Sequence, residues 1–189
     1  MNNKILAGVD EVGRGCLAGP VISCALVLKS SIDKKILKDS KTISFNNRIK
    51  IAEYIKKNSW YAIGSASVNE IDKYNIFNAT LLSMKRAMKK LKKKPNIFLI
   101  DGTHGPSKLK NFKTIIKGDQ KIKCISAASI VAKAYRDLYM IKLGNKFPKY
   151  NWQKNFGYGT WQHLKALRKF GVTNYHRKSY KPVHKILSK

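Results

Sequence analysis

Asp10 and Glu11 are the residues best suited to chemistry in this chain. Two adjacent carboxylates close the apolar run Ile5 to Val9, and an arginine between glycines, Gly13-Arg14-Gly15, follows at once. Acids are scarce, with 10 Asp and Glu against 39 Lys and Arg, so a side-by-side pair calls for a cause. A hard divalent cation, which takes oxygen ligands, is the simplest one. An arginine flanked by glycines lets backbone and guanidinium come close to a phosphate or sugar. Together these features point to metal-dependent phosphodiester chemistry.

Two more acids share that outline. Asp101 ends the apolar run Asn96 to Ile100 and precedes Gly102; Asp119 follows the short run Thr114 to Ile116 in Lys117-Gly118-Asp119. One acid at a strand end is simply solvated, but three such segments in a chain so poor in acids make a candidate site of Asp10, Glu11, Asp101 and Asp119. Geometry imposes a condition. Neighbours on a regular strand point to opposite faces, so the strand is expected to end or bulge at Glu11 if both acids line one site. Clustered carboxylates repel, and bound cations relieve that repulsion. Two ions about 3.5–4 Å apart could activate water and stabilise a leaving oxygen.

The elements that must hold these residues are readable from periodicity. Strands are expected over Ile5–Asp10, Val21–Leu28, Trp60–Val68, Asn96–Ile100 and Thr114–Ile116. A helix is expected over Phe45–Lys57, N-capped by Ser44, with Phe45, Ile49, Ala52 and Ile55 on one face. Another spans Ile76 to Leu91, where Phe77, Leu81, Met84 and Met88 recur at helical spacing. Ala127, Val131, Ala134, Leu138 and Ile141 mark an amphipathic third; Leu164, Leu167 and Phe170, closed by Gly171, mark a last one. The tail from Val172 lacks clear periodicity, and no internal repeat is visible. Early strands followed by alternating strands and helices imply an α/β fold, a mixed sheet flanked by helices.

Composition bounds the rest. At 189 residues and 43% apolar content the chain can bury a real core, and one domain is expected. A net charge of +29 points either to a polyanionic partner such as nucleic acid or to lysine-rich compositional drift. Cys16, Cys24 and Cys124 form no CxxC pair and give an odd count, so neither a zinc site nor a disulfide framework is indicated. No segment reads as a signal peptide or a membrane span. A soluble cytoplasmic monomer is the expectation.

Five motifs in order carry a resemblance to a known family. AGVDEVGRG (Ala7–Gly15), DSK (Asp39–Lys41), LIDG (Leu99–Gly102), KGD (Lys117–Asp119) and SAASIVAK (Ser126–Lys133) together resemble bacterial ribonuclease HII. The likeness continues through Gly157-Tyr158 to His176-Arg177-Lys178-Ser179. It implies a ribonuclease-H-like fold whose residues from about 145 to 189 form a small helical, substrate-binding extension. It further implies Mg²⁺- or Mn²⁺-dependent cleavage of the RNA strand of RNA–DNA hybrids and incision at ribonucleotides embedded in duplex DNA, leaving 5′-phosphate and 3′-hydroxyl ends. By position, Asp10, Glu11 and Asp101 match the family's metal-binding acids and Asp119 its fourth active-site acid. Gly13, Arg14 and Gly15 match the segment that reads the ribose 2′-hydroxyl, the group that separates RNA from DNA. Tyr158 matches the tyrosine that stacks on the adjoining deoxyribose.

Other residues stay open between two roles. Lys41 is either a phosphate contact or a solvated loop lysine. Ser126 and Ser129 either cap the following helix or touch substrate. Asp137 lies four residues after Lys133, so a surface ion pair explains it, and His104 is a loop residue. Tyr175, His176, Arg177, Lys178 and Tyr180 form a basic-aromatic tail suited to gripping a nucleic-acid backbone, and packing against the sheet explains its aromatics equally well. A non-enzymatic nucleic-acid-binding protein, or DNA cleavage by the same fold, remain the rival readings.

Overall fold

The computed structural model describes residues 4–33, 36–37, 43–107 and 109–188; the Asp39–Lys41 segment, and with it Lys41, lies outside them. Strands β1 (Leu6–Val12), β2 (Val21–Leu28), β3 (Ser59–Ala66), β4 (Ile97–Asp101) and β5 (Phe112–Ile115) form one sheet in the order β3-β2-β1-β4-β5. The β1–β2 and β2–β3 pairs are antiparallel, whereas β1–β4 and β4–β5 are parallel. The expected mixed sheet is therefore present, and β1 is flanked by β2 and β4.

Helices cover both faces. On one face α1 (Phe45–Lys57) and α4 (Lys123–Lys146) enclose a core with Cys24, Leu26, Ala52, Ile55 and Val131. On the other face α2 (Val68–Lys90) packs Met84, Ala87 and Met88 on Ala7, Val9, Val27 and Ile100. Each fully buried aliphatic side chain of this kind contributes roughly 1.5–3 kcal/mol. Gly8 lets α4 approach β1: a Cβ there would lie 2.1 Å from the backbone carbonyl of Cys124. Among the described residues no helix is long and apolar enough to cross a membrane.

Several elements differ from their sequence pattern for identifiable reasons. The third strand stops at Ala66 because Ser67 and Glu70 form a capping box, Glu70 N–H donating to Ser67 Oγ at 3.2 Å and Ser67 N–H to Glu70 Oε2 at 2.9 Å. Val68 thus opens α2 rather than ending β3. The helix expected from Ile76 is the second part of α2: Asn75 adopts φ 64° and breaks the helix, and its Oδ1 accepts from Asn78 N–H at 3.0 Å to restart it. Ser44 is the N-cap residue of α1 but makes no side-chain cap bond. Helix α4 is not amphipathic in its first half, where both sides are enclosed; residues 124 to 132 are all buried.

Beyond α4 the chain forms a 3₁₀ turn (Pro148–Tyr150), α5 (Trp152–Asn155), α6 (Trp161–Phe170) and α7 (Lys181–Leu187). These gather Tyr150, Trp152, Leu167 and Val183 around Leu17, Ala18 and Met140. The stretch without periodicity thus contains a short helix, α7. Its neighbours are ordered by side-chain hydrogen bonds, which leave no periodic signature.

Candidate active site

Strand β1 does not break at Glu11. Its register with β2 runs unbroken from Gly8–Leu26 through Asp10–Cys24 and Glu11–Ser23 to Val12–Ile22. The alternation is kept, with Val9 in the α2-side core and Val12 against the α4-side core. Asp10 therefore faces α4, where the Ser129 hydroxyl hydrogen-bonds its carboxylate. Glu11 faces the α2 side and lines a cleft with Thr80 and Met84. The expected bulge is absent because the two acids meet at the end of the sheet rather than on one face. The parallel β1–β4 register ends at Val9–Ile100, so one step further brings Asp101 beside Asp10.

Asp101 is held by the connection that follows β5. Lys117 takes a left-handed conformation, φ 55°, and turns the chain into α3 (Gly118–Lys121). Gly118 N–H then donates to Asp101 Oδ1 at 2.7 Å, with Asp119 N–H at 3.4 Å. Asp119 is buried in that turn. The structure therefore brings Asp10, Glu11 and Asp101 together with the backbone of Asp119.

Electrostatics follow from this crowding. Burial pushes the Asp10 carboxyl well above its usual range; the charges of Glu11 and Asp101 add to the rise, and the Ser129 hydrogen bond opposes it. Burial also raises Glu11, against the pull of Arg14, whose Nη1 lies 3.4 Å from Glu11 Oε1. A cation among these oxygens would reverse both shifts. Among the described residues no group of three or more His, Cys, Asp or Glu side chains stands close enough to enclose an ion by itself. The donor set fits a cation that takes one or two carboxylates and completes its shell with water and phosphate, as Mg²⁺ does. The adjoining cleft has a volume of about 340 Å³, and Glu11, Arg14, Asp101 and His104 line it. His104 sits there with Nδ1 2.8 Å from Thr103 Oγ1 and its ring edge-on to Phe77.

The Gly13–Gly15 loop lies beside this cleft. Gly13 has φ 93° and would collide with the Arg136 side chain if it bore a Cβ, so two constraints favour glycine there. Tyr158 is brought to the loop by an antiparallel bridge with Cys16. Its side chain remains partly exposed, with Lys133 Nζ 5.8 Å from the ring centroid.

Three groups near the site take roles that the sequence did not disclose. Ser129 is neither a cap nor exposed; it sits inside α4 as a partner of Asp10. Arg136 and Arg177 are fully buried. Arg136 donates to the carbonyls of Ala18, Pro20 and Phe156 at 2.9–3.0 Å, while Arg177 holds those of Gly13, Arg14 and Gly19. Arg177 and His176 thus face the interior and grip no external backbone. The only signal was an arginine at an apolar helix position. Asp137 pairs with Lys133 at 2.7 Å as its spacing suggests, but it is fully buried and also binds Arg48 at 3.0 Å, so it ties α1 to α4 instead of decorating the surface.

Comparisons with known proteins agree in family and fold. The sequence profile described as Ribonuclease HII matches residues 7–183. A ribonuclease HII of Pelagibacter ubique (strain HTCC1062) is 58% identical over 186 residues, covering 97% of this chain and 100% of that protein. The ribonuclease H2 of Pyrococcus horikoshii OT3 superposes with a TM-score of 0.82 at 23% identity, covering 97% of each chain. Bst-RNase HIII in complex with Mn²⁺ superposes at 0.75 with 16% identity, covering 98% of this chain and 70% of that one; at these identities the likeness is one of fold. By the length and identity of these sequence matches, the chain belongs to the ribonuclease HII family and is a ribonuclease H enzyme.

Proposed function

We propose that this enzyme hydrolyses the RNA strand of RNA–DNA hybrids and incises duplex DNA at embedded ribonucleotides, leaving 5′-phosphate and 3′-hydroxyl ends. The observation that carries the reading is the meeting of Asp10, Glu11 and Asp101 at adjacent strand ends, next to a glycine-flanked arginine loop. Asp10, Glu11 and Asp101 would hold Mg²⁺ or Mn²⁺. When bound, such an ion lowers the pKa of water and neutralises charge on the scissile phosphate.

The protein's own groups do the positioning. Ser129 fixes the Asp10 carboxylate, and the amides of Gly118 and Asp119 fix that of Asp101. Asp119 supplies the fourth acid beside Asp101. Gly13, Arg14 and Gly15 read the ribose 2′-hydroxyl, and Tyr158 packs on the neighbouring deoxyribose. The C-terminal helices bind the flanking duplex, and Lys41 contacts a phosphate. One chain carries the whole set, so a monomer suffices.

The test is a DNA duplex carrying one ribonucleotide, an RNA–DNA hybrid and an all-DNA duplex, each with Mg²⁺ or Mn²⁺ and again with chelator. Metal-dependent incision of the first two and none of the third is expected. Folded protein that leaves the ribonucleotide intact with either metal overturns the proposal.

A further inference from the structure

Arg177 spends all five of its N–H donors within one small region. Its Nε donates to Gly19 O at 3.0 Å; Nη2 donates to Gly19 O at 2.9 Å and Gly13 O at 2.6 Å. Nη1 donates to Arg14 O at 2.8 Å and to the Tyr180 hydroxyl at 2.9 Å. That hydroxyl in turn donates to Arg14 O. The guanidinium is fully buried, and among the described residues no carboxylate pairs with it. A buried cation without a counter-ion is costly, and here backbone carbonyl dipoles and the Tyr180 hydroxyl balance it.

The consequence lies on the far side of those peptide groups. A trans peptide is planar, and its C=O and N–H point in opposite directions. With the carbonyls of Gly13 and Arg14 drawn inward, the N–H groups of Arg14 and Gly15 are turned outward. The buried charge also polarises these two peptides, which strengthens their outward donors. Gly15 has open space around its α-carbon, so a ligand can approach closely. Tyr180 completes the clamp at the start of α7, which links the C-terminal segment to a loop more than 160 residues earlier in sequence.

We propose that Arg177, assisted by Tyr180, is a positioning residue for ribose recognition: it sets the direction of the Gly13–Gly15 peptide groups and thereby the discrimination between ribose and deoxyribose. The proposal rests on the reading of that loop as the part that meets the 2′-hydroxyl. It assigns Arg177 no contact with nucleic acid.

The experiment measures binding by fluorescence anisotropy in EDTA, so that no cleavage intervenes. The probes are a DNA duplex with one central ribonucleotide and the same duplex in all-DNA form, compared for wild type, Arg177→Lys and Tyr180→Phe. Arg177→Lys keeps the charge and loses the fork; Tyr180→Phe removes one hydroxyl from the clamp. Wild type should prefer the ribonucleotide duplex. Tyr180→Phe should lower that preference by about three- to tenfold, the net worth of one hydrogen bond, and Arg177→Lys by more. Thermal melting monitors the fold, and Tyr180→Phe alone decides if Arg177→Lys does not fold.

A preference ratio unchanged within twofold in folded variants overturns the inference while leaving loop recognition intact. Equal losses on both duplexes also overturn it, because a merely structural role predicts that pattern. No preference in wild type removes the loop reading itself, and the inference with it.

Discussion

A carboxylate enclosed by protein resists ionisation, and Asp10 is enclosed by β2, by α4 and by two neighbouring acids. Its folded pKa is raised, so its contribution to stability is complete below the ordinary carboxylate range and is lost as pH rises through the raised value. Metal-free protein should therefore melt lower at pH 8 than Asp10 in its neutral form would allow. Asp10→Asn is expected to raise the metal-free melting temperature at pH 8 by about 2–4 °C for each ~1 kcal/mol relieved, with little gain at pH 4. The same variant should lower incision by at least about a hundredfold, because an amide cannot supply the anionic ligand that the proposed metal site takes from Asp10. Equal melting of wild type and variant at pH 8 in EDTA would contradict the burial argument. Retained incision would remove Asp10 from the chemistry.

At the scale of elements, contact between α4 and β1 holds the site together. Gly8 and Asp10 share one strand face, so the contact that Gly8 permits also sets how Ser129 meets Asp10. Gly8→Ala would force a Cβ into the Cys124 backbone. It should destabilise the protein by at least ~1–3 kcal/mol, read as a lower urea midpoint, and depress incision beyond that loss. An unchanged midpoint would mean that helix and strand can separate freely. The C-terminal helices are joined by a different device. Trp152 Nε1–H donates to His163 Nε2 at 3.0 Å, and His163 Nδ1 meets Tyr158 O at 2.8 Å. His176 Nδ1 accepts from Thr173 N–H, so its Nε2–H faces His163 Nε2 at 3.1 Å. Both rings must be neutral for these bonds to form. Burial accordingly lowers both pKa values, that of His176 to about 3. Depressed histidines favour the fold above pH 6.5, and that stability is lost as pH falls toward the folded values. Nitrogen-15 NMR should show the His176 ring still neutral at pH 5; a titration of His176 near 6.5 would break this account.

For the whole molecule the dominant quantity is a charge of +29. A surface that neutralises roughly 6–10 phosphates should lose about 10³–10⁵-fold in duplex affinity between about 50 and 200 mM salt. The slope should be the same for all-DNA and ribonucleotide-bearing duplexes, because phosphates carry no sugar information. Binding almost indifferent to salt would assign the excess lysine to composition rather than to contact. On the proposed reading, specificity belongs to the loop and the acids, and charge sets only the encounter.

The sequence by itself determined the elements whose register is local. The apolar run of β2 and the helix α1 match their expected bounds, Val21–Leu28 and Phe45–Lys57, because hydrophobic period operates over a few residues. The ordered motifs were likewise sufficient for the family, and the acids stood out because they are rare. Tertiary structure alone decided how Asp10 and Glu11 come to share one end of the sheet with Asp101: the strand stays regular, and convergence comes from the adjacent end of β4. It alone turned Asp137 from a surface pair into a buried tie, and Arg177 from a supposed nucleic-acid grip into the clamp of a distant loop. Those roles rest on which carbonyls and carboxylates lie a few ångströms away across 89 to 164 residues of chain, and no local pattern encodes that.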